Sequence, residues 1–284
     1  MRPSTDPTAA ALVTPQGFSF DRLPVFPAVA LELISLLDDQ EASVQDIATV
    51  LRREPALAAE AIKVSNSARY ARHQGAILDL DTALVVIGMK EARRVCLNAA
   101  VRGLIGAALG MPELRRLWRH SVASAILTEY LSEDYDIPAG RAYALGLLHD
   151  LGALALLAMH PEEYRRLIVL YDHEPVDWRE AERRIFGMDH EQVGALLVDH
   201  MGLPESMRAA LSQHHDSDLG LRGCEACLVG AASLLAETIG SGIGGDLVQS
   251  PPEALLARMP LRDPAARLAG LPAIAEKIQD AVSL

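Results

Sequence analysis

Aromatic side chains are scarce: phenylalanine, tyrosine and tryptophan make up only 4% of the 284 residues. Strands draw on aromatic and β-branched residues, so this shortage weighs against a sheet. Only three cysteines are present, too few for a disulfide-rich scaffold or a four-cysteine zinc site. Basic residues are outnumbered, 26 Lys and Arg against 38 Asp and Glu. The resulting charge of −12 argues against a general nucleic-acid surface, because phosphate binding needs a Lys/Arg excess. The basic pairs Arg52-Arg53, Arg93-Arg94, Arg115-Arg116, Arg165-Arg166 and Arg183-Arg184 sit among acids and read as solvated helix faces. No basic stretch followed by an apolar one opens the chain, as a signal peptide requires. No apolar run reaches the roughly 18 residues of a membrane helix. The longest candidate, Ala142 to Met159, is broken by Gly146, His149, Asp150 and Gly152. These absences lead us to expect a soluble cytoplasmic protein with no membrane partner.

Half the chain is apolar, mostly Ala, Leu, Val and Ile, and Gly/Pro punctuation is sparse. Ala and Leu lose little on entering a helix, so the expected fold class is all-α. Residues 1–17 are polar and Pro-bearing and are expected to be disordered, with the fold starting near Phe18 to Pro27. From Ala28 a helical period sets in, with Val29, Leu33, Leu36 and Leu37 on one face. Ser43 and Asp46 form a capping-box pattern. Pro55 suits the first position of a helix running to about Asn66. Asp81 is expected to cap another, stopped by Gly88, and a longer helix runs from Lys90 to about Ile105. Gly103, Gly106, Gly110 and Pro112 mark a joint, which sets an N-terminal lobe at 18–110 against a core at 111–240. Core helices are expected near 113–132, 139–158, 161–172, 177–186, 189–201, 204–215 and 223–239. Gly240 to Gly245 reads as a flexible break, and the tail at 241–284 carries weak helical signals near 252–258 and 272–282.

Nine histidines are present, and five fall where a helical reading turns them inward. His120 shares a stripe with Leu117, Ser124 and Leu127, and His149 with Leu145, Gly152 and Leu156. Asp150 follows about 100° further around the helix, towards Gly146 and Ala153, small residues expected to leave room for a cation and its waters. His190 follows Asp189, a good N-cap with Gln192 three residues on. His214 lies on the stripe of Met207, Ala210 and Leu211, with His215 beside it. Neutral imidazole and carboxylate bind Zn, Fe, Mn or Ni well, and such a metal acidifies bound water and polarises phosphoryl oxygens. A single inward histidine is more commonly a satisfied core residue. Five of them with an acid, spread over separate helices, favour a preformed polar site. Cys224 and Cys227 form a lone C-x-x-C in a helical stretch and are expected to be small core residues.

The order of these residues resembles the HD superfamily of metal-dependent phosphohydrolases: His120, then the doublet in Gly146-Leu-Leu-His149-Asp150-Leu-Gly152, then His190 and the pair His214-His215. The N-terminal half narrows the resemblance. Leu23-Pro24-Val25-Phe26-Pro27, Arg53-Glu54-Pro55-Ala56-Leu57, Lys63-Val64-Ser65-Asn66 and Thr82 to Gly88 look like the HDOD domain, an HD-related output domain of bacterial signalling proteins. The resemblance spans roughly residues 20 to 240. It implies an HD-like helical core with an N-terminal helical lobe, and a regulatory role without demonstrated hydrolase activity. It also implies a divalent transition metal (Fe, Mn, Zn or Ni) held by His120, His149, Asp150, His190, His214 and His215.

Two departures bear on catalysis. Ala153 stands where HD enzymes often carry a lysine, and the helix around Ala231 and Ala232 lacks their final aspartate. The Gly-Tyr-Pro signature of the cyclic-di-GMP-hydrolysing HD-GYP branch does not follow His214-His215. The sequence therefore reads as a signal-transduction module acting through a signalling protein partner or a nucleotide ligand. The alternative is a metal-dependent phosphohydrolase or phosphodiesterase.

Overall fold

The computed structural model describes residues 28–38, 43–70, 76–104, 111–171, 177–216, 218–243 and 250–283. The expectations for 1–17, for Phe18 to Pro27 and for Gly106, Gly110 and Gly245 lie outside them. Among the described residues the chain is helical and contains no strand.

The first part comprises α1 (Ala28–Asp38), α2 (Val44–Arg52), α3 (Pro55–Ser65), α4 (Leu80–Ile87) and α5 (Met89–Leu104). The capping box opens α2: the Asp46 N–H donates to Ser43 Oγ at 3.3 Å, and the Ser43 N–H donates to Asp46 Oδ2 at 2.8 Å. Pro55 begins α3, where its missing N–H has no helical partner to lose. Gly88 ends α4 at φ 77°, a left-handed angle that favours glycine. The cap of α4 is Asp79 rather than the expected Asp81, since the Thr82 N–H donates to Asp79 Oδ1 at 2.8 Å. Asp81 sits in the first turn and instead accepts from Arg52 at 2.6 Å, tying α4 to α2.

The second part comprises α6 (Pro112–Leu131), α7 (Ala139–Leu148), α8 (Leu151–Met159), α9 (Pro161–Tyr171), α10 (Trp178–Phe186), α11 (His190–Met201), α12 (Arg208–Ser212) and α13 (Glu225–Ala236). The helix expected over 139–158 is two helices. Asp150, at φ −92° and ψ 23°, leaves helical geometry, so the His149-Asp150 doublet forms the turn between α7 and α8. α12 ends three residues earlier than expected, at Ser212, leaving His214 and His215 in the turn beyond it. α13 gives way to a wider turn over Glu237–Ser241, with Gly240 at φ 79°.

Two hydrophobic clusters fill these parts. Ile47, Leu51, Leu84 and Cys96 belong to the first, and α6, α7, α8, α11 and α13 build the second. α5 serves both, giving Ala92 and Cys96 to the first and Leu97, Ala100 and Val101 to the second. The stretch from α7 to α8 is apolar because it is buried inside this second cluster.

The tail is more ordered than its composition suggests. α14 (Pro252–Leu256) is followed by α15 (Pro264–Ser283), which begins eight residues before the expected 272 and contains Pro272. An internal proline removes a helical hydrogen bond. Burial of Leu271 and Ile278 against the core offsets that loss. The Tyr130 hydroxyl donates to the Arg267 carbonyl at 2.9 Å, and Arg267 pairs with Asp134 at 2.6 Å, anchoring α15 on α6. Cys224 and Cys227 are joined as a disulfide at the start of α13, correcting the expectation of two separate small core residues. Their Cα atoms are 5.2 Å apart, a spacing the bond accepts.

Candidate metal centre

The five inward histidines and Asp150 come from different elements and meet at one point. His120 sits on α6, the His149-Asp150 doublet at the α7–α8 turn, His190 at the start of α11, and His214 and His215 after α12. His120, His149, Asp150, His190 and His214 are buried, whereas His215 lies at the exposed rim. Of the small residues around the doublet, Ala153 borders open space as expected, whereas the glycines let helices close in. A Cβ on Gly152 would collide with the backbone carbonyl of His190, so glycine here lets α8 touch the start of α11. A Cβ on Gly230 would collide with the His214 carbonyl in the same way.

The tautomers follow from the hydrogen bonds. A carbonyl oxygen can only accept, so a ring nitrogen bonded to one must carry the proton. The Nδ1–H of His120 donates to the Ser241 carbonyl at 3.0 Å, that of His149 to Gly146 at 2.8 Å, and that of His214 to Ala210 at 3.1 Å. His190 Nδ1 donates to the Glu182 carboxylate at 2.5 Å. All four Nε2 atoms therefore face inward, onto Asp150. His149 and His120 lie 3.2 and 3.8 Å from Oδ2, and His214 and His190 lie 3.6 and 3.8 Å from Oδ1. The Nε2 atoms of His149 and His214 are buried and make no hydrogen bond. With the proton on Nδ1, an Nε2 atom presents its lone pair to a carboxylate, an arrangement that a cation between them reconciles.

Burial would raise the pKa of Asp150, but the charge and hydrogen bonds that His149, His214 and His190 offer when protonated outweigh it and hold the carboxyl well below its usual range. Burial pulls His120 and His214 down to about 4, against the attraction of Asp150. His190 differs. Burial again opposes its charge, but Glu182, with Asp150 and Glu191 behind it, raises it to about 9. Its Nε2 lies 3.0 Å from His215 Nε2. In the metal-free protein at neutral pH, His190 is thus an imidazolium that donates to His215.

A divalent transition metal fits this donor set. Candidate ligand atoms fall into two groups, His120, His149 and Asp150, and His190, His214 and His215, each lying within 4.8 Å of one another. Imidazole nitrogens with a hard carboxylate suit Zn, Fe, Mn or Ni. The Nδ1 acceptors are the outer contacts that orient metal-binding histidines. His120 is the partial exception, because the Ser233 hydroxyl donates to its Nε2 at 3.1 Å. Ser233 is therefore an α13 side chain in contact with the centre. Ala231 and Ala232, where an acid was expected to be missing, are packed in the core.

Sequence reasoning missed several residues that build the centre. Glu182 is fully buried and accepts four hydrogen bonds: from the His190 ring and backbone N–H, the latter at 2.8 Å, from the Tyr164 hydroxyl at 2.7 Å, and from Trp178 Nε1 at 3.0 Å. Its signal was present, an acid on the apolar stripe of Trp178, Ala181 and Ile185. Glu191 accepts from the His215 backbone N–H at 3.1 Å and from Arg179 at 3.0 Å, and Arg179 continues to Asp216 at 2.8 Å. A cavity of about 330 Å³ opens onto Asp150, His190 and His215, with Trp178, Arg179 and Glu237 among its walls. Ala153 also lines it, leaving open the position where a lysine was expected. Burial, with the charge of Asp150, pushes the Glu237 carboxyl up to about 7.

Comparison with known proteins agrees with this architecture. An HDOD protein of unknown function from Geobacter sulfurreducens shares the fold at a TM-score of 0.77 and 22% identity, covering 97% of this chain and 95% of that one. A candidate signal-transduction protein of Marinobacter aquaeolei VT8 aligns at 0.74 and 22% identity, covering 96% and 62%. A candidate phosphohydrolase of Shewanella amazonensis SB2B aligns at 0.61 and 22% identity, covering 92% and 91%. In sequence, an uncharacterised protein of Treponema pallidum (strain Nichols) is 21% identical over 198 residues, which are 69% of this chain but only 38% of that protein. Residues 23–217 match the family model of the HDOD domain, which is more than half of the chain. The chain is a member of the HDOD domain family.

Proposed function

We propose that this HDOD protein is a regulatory signalling module with a reversibly filled divalent-metal centre, acting through a protein partner or small ligand rather than by hydrolysis. His149, Asp150, His190 and His214 would hold the metal, with His120 and His215 completing the set. The observation that carries the reading is the bond from Ser233 to His120, which puts a neutral hydroxyl where α13 meets the centre. The two ligand groups then contain five histidines and a single carboxylate, Asp150. A divalent cation with one anionic ligand is held less tightly than one with two, and reversible occupancy suits sensing better than turnover. We place the module in the cytoplasm and take a signalling protein or a nucleotide as its partner.

Hydrolysis is the second reading, favoured by the cavity that opens onto Asp150 and His190. A bound metal would acidify water and polarise a phosphoryl oxygen there. Metal analysis of the purified protein, with a phosphomonoester and phosphodiester screen in added Mn or Fe, separates the readings. We expect metal in the wild type, loss of it in Asp150→Ala, and no turnover in either. Turnover that disappears in Asp150→Ala would overturn the non-hydrolytic reading. A wild type that takes up no metal would overturn the metal centre itself.

A further inference from the structure

A second, larger cavity, of about 660 Å³, lies away from the histidines. α3 and α5 form one side of it, and Trp118 of α6 with the end of α15 forms the other. On α5 the lining residues Glu91, Arg94, Val95, Asn98, Ala99 and Arg102 follow a single helical stripe. Pockets of this size between packed units are where small ligands bind.

The lining combines apolar walls with the cations Arg69, Arg94, Arg102 and Lys277 and the acids Glu60, Glu91 and Asp280. Val64, Val95, Ala99 and Trp118 supply flat apolar surface. Arg94 is nine-tenths buried, yet its Nε finds no hydrogen-bond partner. Its Nη1 is held by Glu91 at 3.0 Å, and its guanidinium lies 4.7 Å from the Tyr143 ring centroid, which fixes its place. Leaving a buried charged donor unsatisfied is costly, and the guanidinium that carries it borders the cavity. Arg69, on the same lining, makes no ion pair among the described residues. Glu60, by contrast, is already shared between Lys63 at 3.2 Å and Arg102 at 3.7 Å.

We propose that this cavity is a binding site for a small organic anion with a flat apolar body, its acidic group on Arg94 and Arg69 and its ring against Val95, Ala99 and Trp118. Such a ligand touches α5 and the segment after α3 on one side and α6 on the other, in a cavity that α3 and α15 help to close. Binding therefore clamps the N-terminal helices to the core, and α15 becomes a wall of the site. An aryl carboxylate and a nucleoside monophosphate share this chemistry.

Calorimetric titration of the full chain with 1-naphthoate and, separately, with guanosine monophosphate tests the proposal. We expect one site per chain for at least one of the two, and the one that binds identifies the source. Binding should weaken at least tenfold in Ala99→Phe, which fills the cavity, and in Arg94→Gln. It should stay within twofold in His214→Ala, which separates this site from the metal centre. Trp118 and Trp178 are the only tryptophans. In Trp178→Phe, therefore, the emission of Trp118 alone should shift on binding. Circular dichroism checks folding, and if a buried variant fails to fold, exposed Arg69→Ala carries the test. Absence of binding up to millimolar ligand, or equal binding in the folded cavity variants, would overturn the proposal.

Discussion

His149 Nε2 lies 3.2 Å from Asp150 Oδ2, while its Nδ1 is committed to the Gly146 carbonyl 2.8 Å away. The turn between α7 and α8 thus aims a lone pair and a carboxylate at the same point. Asp150→Asn keeps the shape of that carboxylate and removes its charge. We expect it to bring the metal content of the purified protein to background while the metal-free fold survives, as read by elemental analysis beside a circular dichroism melt. Wild-type metal content in Asp150→Asn would mean that the histidines alone suffice.

Metal binding should expel a proton from His190. This ring is raised above neutral pH by Glu182, whereas His120 and His214 are already neutral there. A metal needs the Nε2 lone pair, so below the raised pKa binding must displace a proton. Apparent affinity should rise about tenfold per pH unit through the neutral range and level off above pH 9. Titration calorimetry in two buffers of different ionisation heat reads the proton directly. Identical heats in both buffers would show that His190 does not carry it.

Glu182→Gln tests the support behind that ring. The carboxylate is fully buried and accepts from His190, Tyr164 and Trp178. A glutamine has one acceptor oxygen and brings an N–H₂ against other donors. Breaking a buried charge pair from one side costs about 3–5 kcal/mol. We expect a loss of stability in that range by chemical denaturation. The pH dependence of metal affinity between neutral and pH 9 should flatten with it, because the His190 pKa falls back. A stable variant with the slope intact would reassign the high pKa to Asp150 and Glu191.

The parts of this fold legible in the sequence are those written locally. The Ser43–Asp46 box, Pro55, Gly88 and the Asp189–Gln192 cap each act within one turn, and each appears where it was expected. The residues that gather at the candidate centre were legible because an imidazole on an apolar stripe is conspicuous. What failed depends on tertiary contact. Asp79 and Asp81 are both plausible caps, and the choice rests on Arg52, which recruits Asp81 across to α2. α15 runs through Pro272 because Leu271 and Ile278 are buried against α6 and its neighbours, which no local propensity encodes. The break at Asp150 could not be read from a helical period, since the apolar run continues on both sides of it. Ser233 was overlooked in favour of Ala231 and Ala232 because the rotation of α13 about its axis is set by packing.

Ser233→Asp should convert the centre to a tighter one. The Ser233 hydroxyl reaches His120 Nε2 at 3.1 Å, so a carboxylate there would stand beside the ring that is now diverted from the metal. Without metal, the change buries a second carboxylate near Asp150, a like-charge arrangement that costs on the order of 2 kcal/mol or more. With metal, the added anion becomes a ligand and His120 is released to join it. The two effects have opposite signs, so the variant should melt below the wild type in chelator and above it with excess Mn or Fe, with metal affinity raised at least tenfold. A melting point lowered equally in both conditions would place Ser233 outside the metal's reach. The centre would then belong to His149, Asp150, His190 and His214 alone.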